Sequence, residues 1–484
     1  MNLEVNPERK AKYDALLARG ISPPYRFDTT SRIGSVIEAY NNIKPEESTG
    51  VNVSVAGTIV AERTHGKLKF LDIEDRDSKI QTYFRIDELG ERYSDLENFD
   101  LGDVIGVKGE VVKTKRGELS VLVKDYNLLA KCLLPLPNLR EQLNIETKYR
   151  QRYLDLKTSK ETRETFVKRA RAISAMREHL DREGFIEVEI PLLQPVYGGA
   201  AAKPFTTHSN ALDSELFLSI SPELYLKRLI VGGMEKVYTI TKNFRNEDID
   251  TTHNPEFTMM ECYQAYADLY DMMRLTENVA SFMAQKVNGK TKVEYQGQTI
   301  DFTPPFKRLS MEEAVKQHTD FDISCYSKED LEKFVEREQL EVKGEINYPN
   351  VVFSIFDKHV GDKLVQPTFI HDYPVEISPL TRKHRTKPGW VERFELYVNK
   401  TEMANAYSEL NDPFDQKERF EKQQEMKKQL GDEAHPMDED FVVALMYGLP
   451  PTGGLGIGID RLNMILTDSP SIKDVILFPQ MKTK

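Results

Sequence analysis

Residues 241–266, TKNFRNEDIDTTHNPEFTMMECYQAY, read as a strand ending at Arg245, a polar loop, and a second strand beginning near Phe257. Strand period 2 puts Phe257, Met259, Glu261 and Tyr263 on one face. The loop brings Glu247 and His253 close to Arg245. Guanidinium and imidazole groups can bind phosphate oxygens, and an aromatic ring can cover a planar base. A lone arginine at a strand end is an ordinary surface residue, whereas Arg, Glu, His and Phe gathered about one loop point to a nucleotide.

Two further segments of the C-terminal part belong with it. In 452–461, TGGLGIGIDR, the spacing is GxGxG rather than the GxGxxG of a dinucleotide loop. The glycines read better as a strand that leaves room for a ligand, followed by a helix opening on Asp460 and Arg461. In 393–413, RFELYVNKTEMANAYSELNDP, a hairpin turns near Asn399 and Lys400, and Asn405, Tyr407 and Glu409 share a face. Glu395 and Glu402 lie diagonally across the turn, the sort of carboxylate pair that with substrate phosphates holds Mg²⁺. Glu402 has the wrong parity to join Asn405, so a shared site requires a bulge between them. No GxxxxGK[ST] phosphate loop is present; Gly289-Lys290-Thr291 lacks the upstream glycine.

Upstream, Val51 to Ala130 changes character to short strands: three, then a polar helical stretch, then two more. That is the order of an OB barrel, which binds oligonucleotides on one face. In KLKFLDIED, taking Leu71 and Ile73 as core turns Phe70 outward, and in KIQTYF Gln81 alternates outward when Ile80 and Phe84 are core. An exposed Phe beside lysines is a stacking platform for an unpaired base. Lys113, Lys115 and Arg116 add charge at the barrel rim.

The expected organisation is an N-terminal helix and connector (1–50), the barrel (51–132), a linker (133–157) and a C-terminal domain (158–484). Arg140, Lys148, Arg150 and Arg152 make the linker locally basic. The 484 residues suit two to four domains, and 39% hydrophobic residues are enough for true cores. With 66 Lys+Arg against 78 Asp+Glu the net charge is −12, so any polynucleotide contact must come from local basic surface. Cys132, Cys262 and Cys325 form no CxxC pair, which argues against disulfide frameworks and zinc. The N-terminus has no apolar leader and no run approaches ~18 apolar residues, so a cytoplasmic protein without membrane association is expected.

These segments together resemble the class II lysyl-tRNA synthetase family, from the N-terminal helix to the end. GFIEVEIPLLQP (184–195), with Pro191, resembles the first motif of the class, FRNED…HNPEF the second and GLGIGIDRL the third. The barrel, KYRQRYLDL, SPELYLKRL and MMECYQAY narrow it to the lysyl, aspartyl and asparaginyl subgroup. The resemblance implies an α+β fold: an OB barrel, then an antiparallel sheet flanked by helices.

It also implies roles. Gly199 and Glu223 would take the α-amino group of L-lysine and Arg245 its carboxylate. Glu261, Tyr263 and Glu409 would meet the side-chain ammonium, with Asn405 and Tyr407 lining the site. Arg245 and Arg461 would be the catalytic cations on ATP, with His253 at the β/γ end, Phe257 on adenine and Glu247 near it. Glu395 and Glu402 would hold Mg²⁺. Arg63, Phe70, Gln81 and Glu118 would read the anticodon of tRNA(Lys), and a homodimer would form through the first motif. Where many bacterial relatives have GNGFSELND, this chain has ANAYSELND, with Ala404, Ala406 and Tyr407. A regulatory RNA-binding protein on a dead scaffold would have lost the motif arginines; Arg245 and Arg461 are both present.

Overall fold

The computed structural model describes residues 5–137, 143–430 and 436–482. They form two compact units, Met1–Arg163 and Glu164–Lys484. The first opens with the helix Pro7–Ala18, capped by the Asn6 side chain on the Arg9 N–H and terminated by the left-handed Gly20 (φ 77°). A second helix, Ile33–Tyr40, leads into five strands: Ser48–His65, Leu68–Glu74, Lys79–Arg85, Val104–Lys113 and Leu119–Ala130.

The strands close into a barrel in the spatial order first, second, third, fifth, fourth. The helix Ile86–Leu89 and a 3₁₀ stretch Gly90–Asn98 fill the interval between the third and fourth strands, where the sequence reads as helical. Leu71, Ile73 and Phe84 are completely buried in the barrel core and Ile80 nearly so. This is the assignment that turns Phe70 and Gln81 to the other side of their strands, but Gln81, expected to face outward, is buried there.

The linker departs from a free basic strip. Arg140 falls outside the described residues; Arg150 pairs with Glu146, and Arg152 is wholly buried with its guanidinium 2.7 Å from Asp155. A buried arginine needs such a partner, and here it fastens the short helix Arg152–Thr158.

The second unit is built on an eight-stranded sheet. Its spatial order is Lys307–Ser310, Thr368–Pro374, Trp390–Val398, Thr401–Ser408, Thr452–Gly458, Glu256–Ala265, Lys236–Phe244 and Ile186–Glu187. Every neighbouring pair is antiparallel except the two outermost. Alternation divides each central strand between two environments. Met260, Cys262, Phe394, Leu396, Ala404, Ala406, Leu455 and Ile457 face a core completed by the helix Leu269–Asn288, whose start carries an Asp268–Asp271 capping box. The other parity faces a cleft.

The hairpin turns at Asn399 and Lys400, both left-handed (φ 46° and 67°). In the register Leu396 opposes Ala404 while Tyr397 opposes Glu402, so Met403 is an extra residue. This is the bulge that the parity conflict demands, and it turns Glu402 to the same side as Asn405. Among the described residues, no helix is long and apolar enough to cross a membrane.

Candidate active site and nucleic-acid face

The open face of the sheet holds a cavity of about 460 Å³. Gly199, Glu223, Arg245, Glu247, His253, Phe257, Glu261, Tyr263, Glu395, Glu402, Asn405, Tyr407 and Arg461 all line it, although they are scattered over more than 260 positions of the chain. Glu409 is the exception. Its side chain is completely enclosed behind the cavity wall, 2.5 Å from the equally buried Lys227.

One end of the cavity is anionic. Glu261 accepts hydrogen bonds from Ser221 Oγ (3.0 Å) and Tyr263 Oη (3.2 Å). Burial, reinforced by the nearby Glu223 charge, pushes the Glu261 carboxyl up to about 8. Glu223 caps the same end from the helix Glu223–Val231, bonded to Lys227 at 2.6 Å. Burial opposes the Lys227 ammonium, but Glu223 and Glu409 more than offset this and raise its pKa. Close approach is bought by two glycines. Gly199 has φ 87°, and a Cβ there would stand 2.7 Å from Ser221 Oγ. A Cβ on Gly454 would collide with Glu409 and the Tyr263 ring.

The opposite end is cationic. The Arg245 guanidinium lies 5.2 Å from the centre of the Phe257 ring. Arg461, in the first turn of the helix Ile459–Leu466, reaches His253 Nε2 at 2.9 Å and Glu402 at 3.5 Å. His253 is in turn held by Asp250 through Nδ1 (2.8 Å). Between the ends, Glu395 takes a 2.6 Å bond from Arg393 and a 2.8 Å bond from Tyr397 Oη. Enclosure in the cleft and the Glu395 charge raise the Glu402 carboxyl, the response of two carboxylates facing one space. Two such oxygens-only donors, with cations close by for phosphates, fit a divalent ion of the magnesium type that completes its shell with substrate oxygens.

On the barrel, Phe70 is half-buried and stacked on Tyr83, with ring centres 4.9 Å apart and planes 5° from parallel. Arg63, directly opposite Phe70, donates to Asp72 (2.7 Å) and Gln81 (2.9 Å), and Gln81 donates to Ser120 Oγ (2.7 Å). Glu118 is exposed two residues before Ser120. Thus Arg63, Phe70, Gln81 and Glu118 lie about one patch. Lys69 does not flank Phe70 there: it is buried on the opposite side, its ammonium on the Leu96 carbonyl (2.6 Å) and Glu62. At the rim Lys113 is taken up by the Asn41 carbonyl, while Lys115 and Arg116 are exposed.

Comparison with known proteins gives this geometry a context. The family model "tRNA synthetases class II (D, K and N)" matches residues 144–482, and "OB-fold nucleic acid binding domain" matches 53–129. A protein named lysine–tRNA ligase from Syntrophomonas wolfei is 48% identical, over 99% of this chain and 97% of the relative. Proteins of the same name from Methanoculleus marisnigri and Clostridium botulinum are 51% and 50% identical, over 98% and 99% of this chain and 94% and 96% of those relatives. The chain is a class II tRNA synthetase.

Three residues in or behind the cleft of this synthetase escape a reading by motif. Arg393 shares strand parity with Glu395, and that parity was the available signal; it also bonds Asn405 Oδ1 at 3.2 Å. Ser221 and Lys227 sit within SPELYLKRL, but nothing local in that segment marks them as facing carboxylates. The ANAYSELND variation also resolves by face. Ala406 packs in the core, and the Tyr407 hydroxyl accepts a 3.1 Å hydrogen bond from Asn405 Nδ2, so the added oxygen has a partner inside the cleft.

Proposed function

We infer that the chain is a lysine–tRNA ligase, which joins L-lysine to tRNA(Lys) through a lysyl-adenylate and releases AMP and pyrophosphate. The observation that carries the amino-acid choice is the anionic end of the cleft. An ammonium is recognised by carboxylates and an aspartate side chain by cations, and Glu223 and Glu261 line that end with Glu409 directly behind.

The lysine carboxylate is already a nucleophile, so adenylate formation calls for alignment and charge neutralisation rather than a general base. Arg245 spans the two substrates, pairing with the lysine carboxylate and the α-phosphate. Arg461 and His253 neutralise the β/γ end, Phe257 stacks on adenine, and Glu247 stands at the adenine mouth. Gly199, through its backbone, and Glu223 receive the α-amino group, Glu261 and Tyr263 serve the side-chain ammonium, and Glu409 adds its charge from behind the cavity wall. Asn405 and Tyr407 shape the wall. Glu395 and Glu402 would hold Mg²⁺, which supplies charge neutralisation on the phosphates. The 3′-terminal ribose hydroxyl of tRNA then takes the lysyl group. Arg63, Phe70, Gln81 and Glu118 read the anticodon.

Exposed Ile186 and Leu193, on either side of Pro191, support pairing of two copies through the first motif. A role in translation supports a cytoplasmic location. Charging a tRNA(Lys) transcript with labelled lysine tests the reading: acid-stable attachment of lysine to the transcript is expected, and charging with aspartate or asparagine instead would overturn it.

A further inference from the structure

Lys227 has no part in the chemistry above, yet it ranks among the largest completely enclosed side chains. It lies one turn after Glu223 on the helix Glu223–Val231, so the two share a helix face. Its ammonium is 2.6 Å from Glu223 and 2.5 Å from Glu409, with the Tyr263 and Phe441 rings about it at 6.0 and 5.9 Å. An ammonium clasped by two carboxylates is therefore built into a pocket read as one for lysine.

Counting charges gives it a purpose. Glu223, Glu261 and Glu409 supply three negative charges; Lys227 and the two amines of bound lysine supply three positive ones. The substrate carboxylate is left to Arg245. Removing Lys227 leaves two buried carboxylates without their shared counter-charge, and a buried carboxylate in that position takes up a proton. We propose that Lys227 is a positioning residue that sets the charge of the amino-acid pocket, easing the ionisation of Glu223 and Glu409 so that both lysine amines meet an anionic pocket. The proposal rests on the lysine reading of the preceding subsection.

The other groups facing this cluster are Glu261 and Tyr263 from the strand Glu256–Ala265, Tyr407 from Thr401–Ser408 and Arg393 from Trp390–Val398. None of them touches both carboxylates. In the empty pocket burial raises Glu261 and, in spite of the Lys227 counter-charge, Glu409 to about 8, so at neutral pH entering lysine must expel protons. Without Lys227 the empty pocket retains a further one.

Calorimetric titration of lysine into the full chain at pH 7, in buffers of different ionisation enthalpy, counts the protons released. Lys227→Met should release about one more proton than the wild type. Adding Glu409→Gln should return the count to the wild-type value, and Lys227→Arg should leave it there. An unchanged count in Lys227→Met, or a double variant that fails to restore it, overturns the proposal. If Lys227→Met does not fold, the double variant and Lys227→Arg decide: both counts at the wild-type value support the role, and a change in either overturns it. A wild type that binds no lysine overturns the reading of the pocket and the proposal with it. A wild type that binds lysine while Lys227→Met keeps the same count removes only the role of Lys227.

Discussion

At Glu261 one carboxylate would carry both a specificity and a pH dependence. Its burial beside Glu223 raises it from an ordinary 4.5 to about 8, so the group is protonated in the empty pocket at neutrality. A lysine ammonium paired with Glu261 would require the ionised form. The lysine KM should therefore fall as pH rises from 6 towards 8 and level off above, which a pH series of ATP–pyrophosphate exchange would measure. The same shift bears on stability: a carboxyl raised in the folded state contributes stability that is complete below 4.5 and is lost as pH rises through about 8. Glu261→Gln should raise the lysine KM by about two orders of magnitude, the equivalent of about 3 kcal/mol for an underpaired buried ammonium, and leave the ATP KM near its starting value. Equal losses for both substrates would mean that Glu261 serves the cleft as a whole. Places in the site were legible where strand parity and chemistry agreed, as at Phe257, Glu261 and Tyr263. They were not legible for Lys227, because an i,i+4 Glu–Lys pair on a helix reads the same whether it lies in water or in a pocket.

Whole elements explain why some residues were misjudged. The strand Thr452–Gly458 works through what it lacks: Leu455 and Ile457 fill the core while Gly454 and Gly456 let facing side chains approach. Gly454→Ala would drive a Cβ into Glu409 and Tyr263, and should cost about 1–3 kcal/mol by thermal unfolding along with a loss of lysine-dependent exchange. The barrel strand Leu68–Glu74 shows the limit of alternation. It correctly separates Phe70 from Leu71 and Ile73, yet it gives no sign that Lys69, on the core side, would end on the Leu96 carbonyl, because that partner belongs to the 3₁₀ stretch. Phe70→Ala should raise the KM for tRNA(Lys) in aminoacylation several-fold with exchange intact. A fall in exchange would assign the Phe70–Tyr83 stack to barrel stability. The hairpin gave the clearest agreement between pattern and backbone, since the conflicting parities of Glu402 and Asn405 demanded a bulge and Met403 supplies it.

For the whole chain, the net charge of −12 first weighs against a polynucleotide partner. The structure divides that charge: carboxylates are drawn into the cleft, and Arg63, Lys115 and Arg116 stay on the outer barrel. The linker contributes less than its composition suggested, with Arg152 buried and Arg150 paired. Fold class was readable from the order of strands and from three motifs with distinctive spacing. The strand Thr368–Pro374 was not, because all but one of its residues are buried and no alternation marks it. A metal dependence follows from the Glu395–Glu402 pair: chelation of divalent ions should abolish exchange and added Mg²⁺ restore it, whereas exchange that survives chelation would leave those carboxylates another role. The most direct test of the account is ATP–pyrophosphate exchange with each of the twenty amino acids in turn. Exchange dependent on lysine is the predicted result; exchange driven by aspartate or asparagine, with lysine inert, would contradict the anionic pocket as its specificity element.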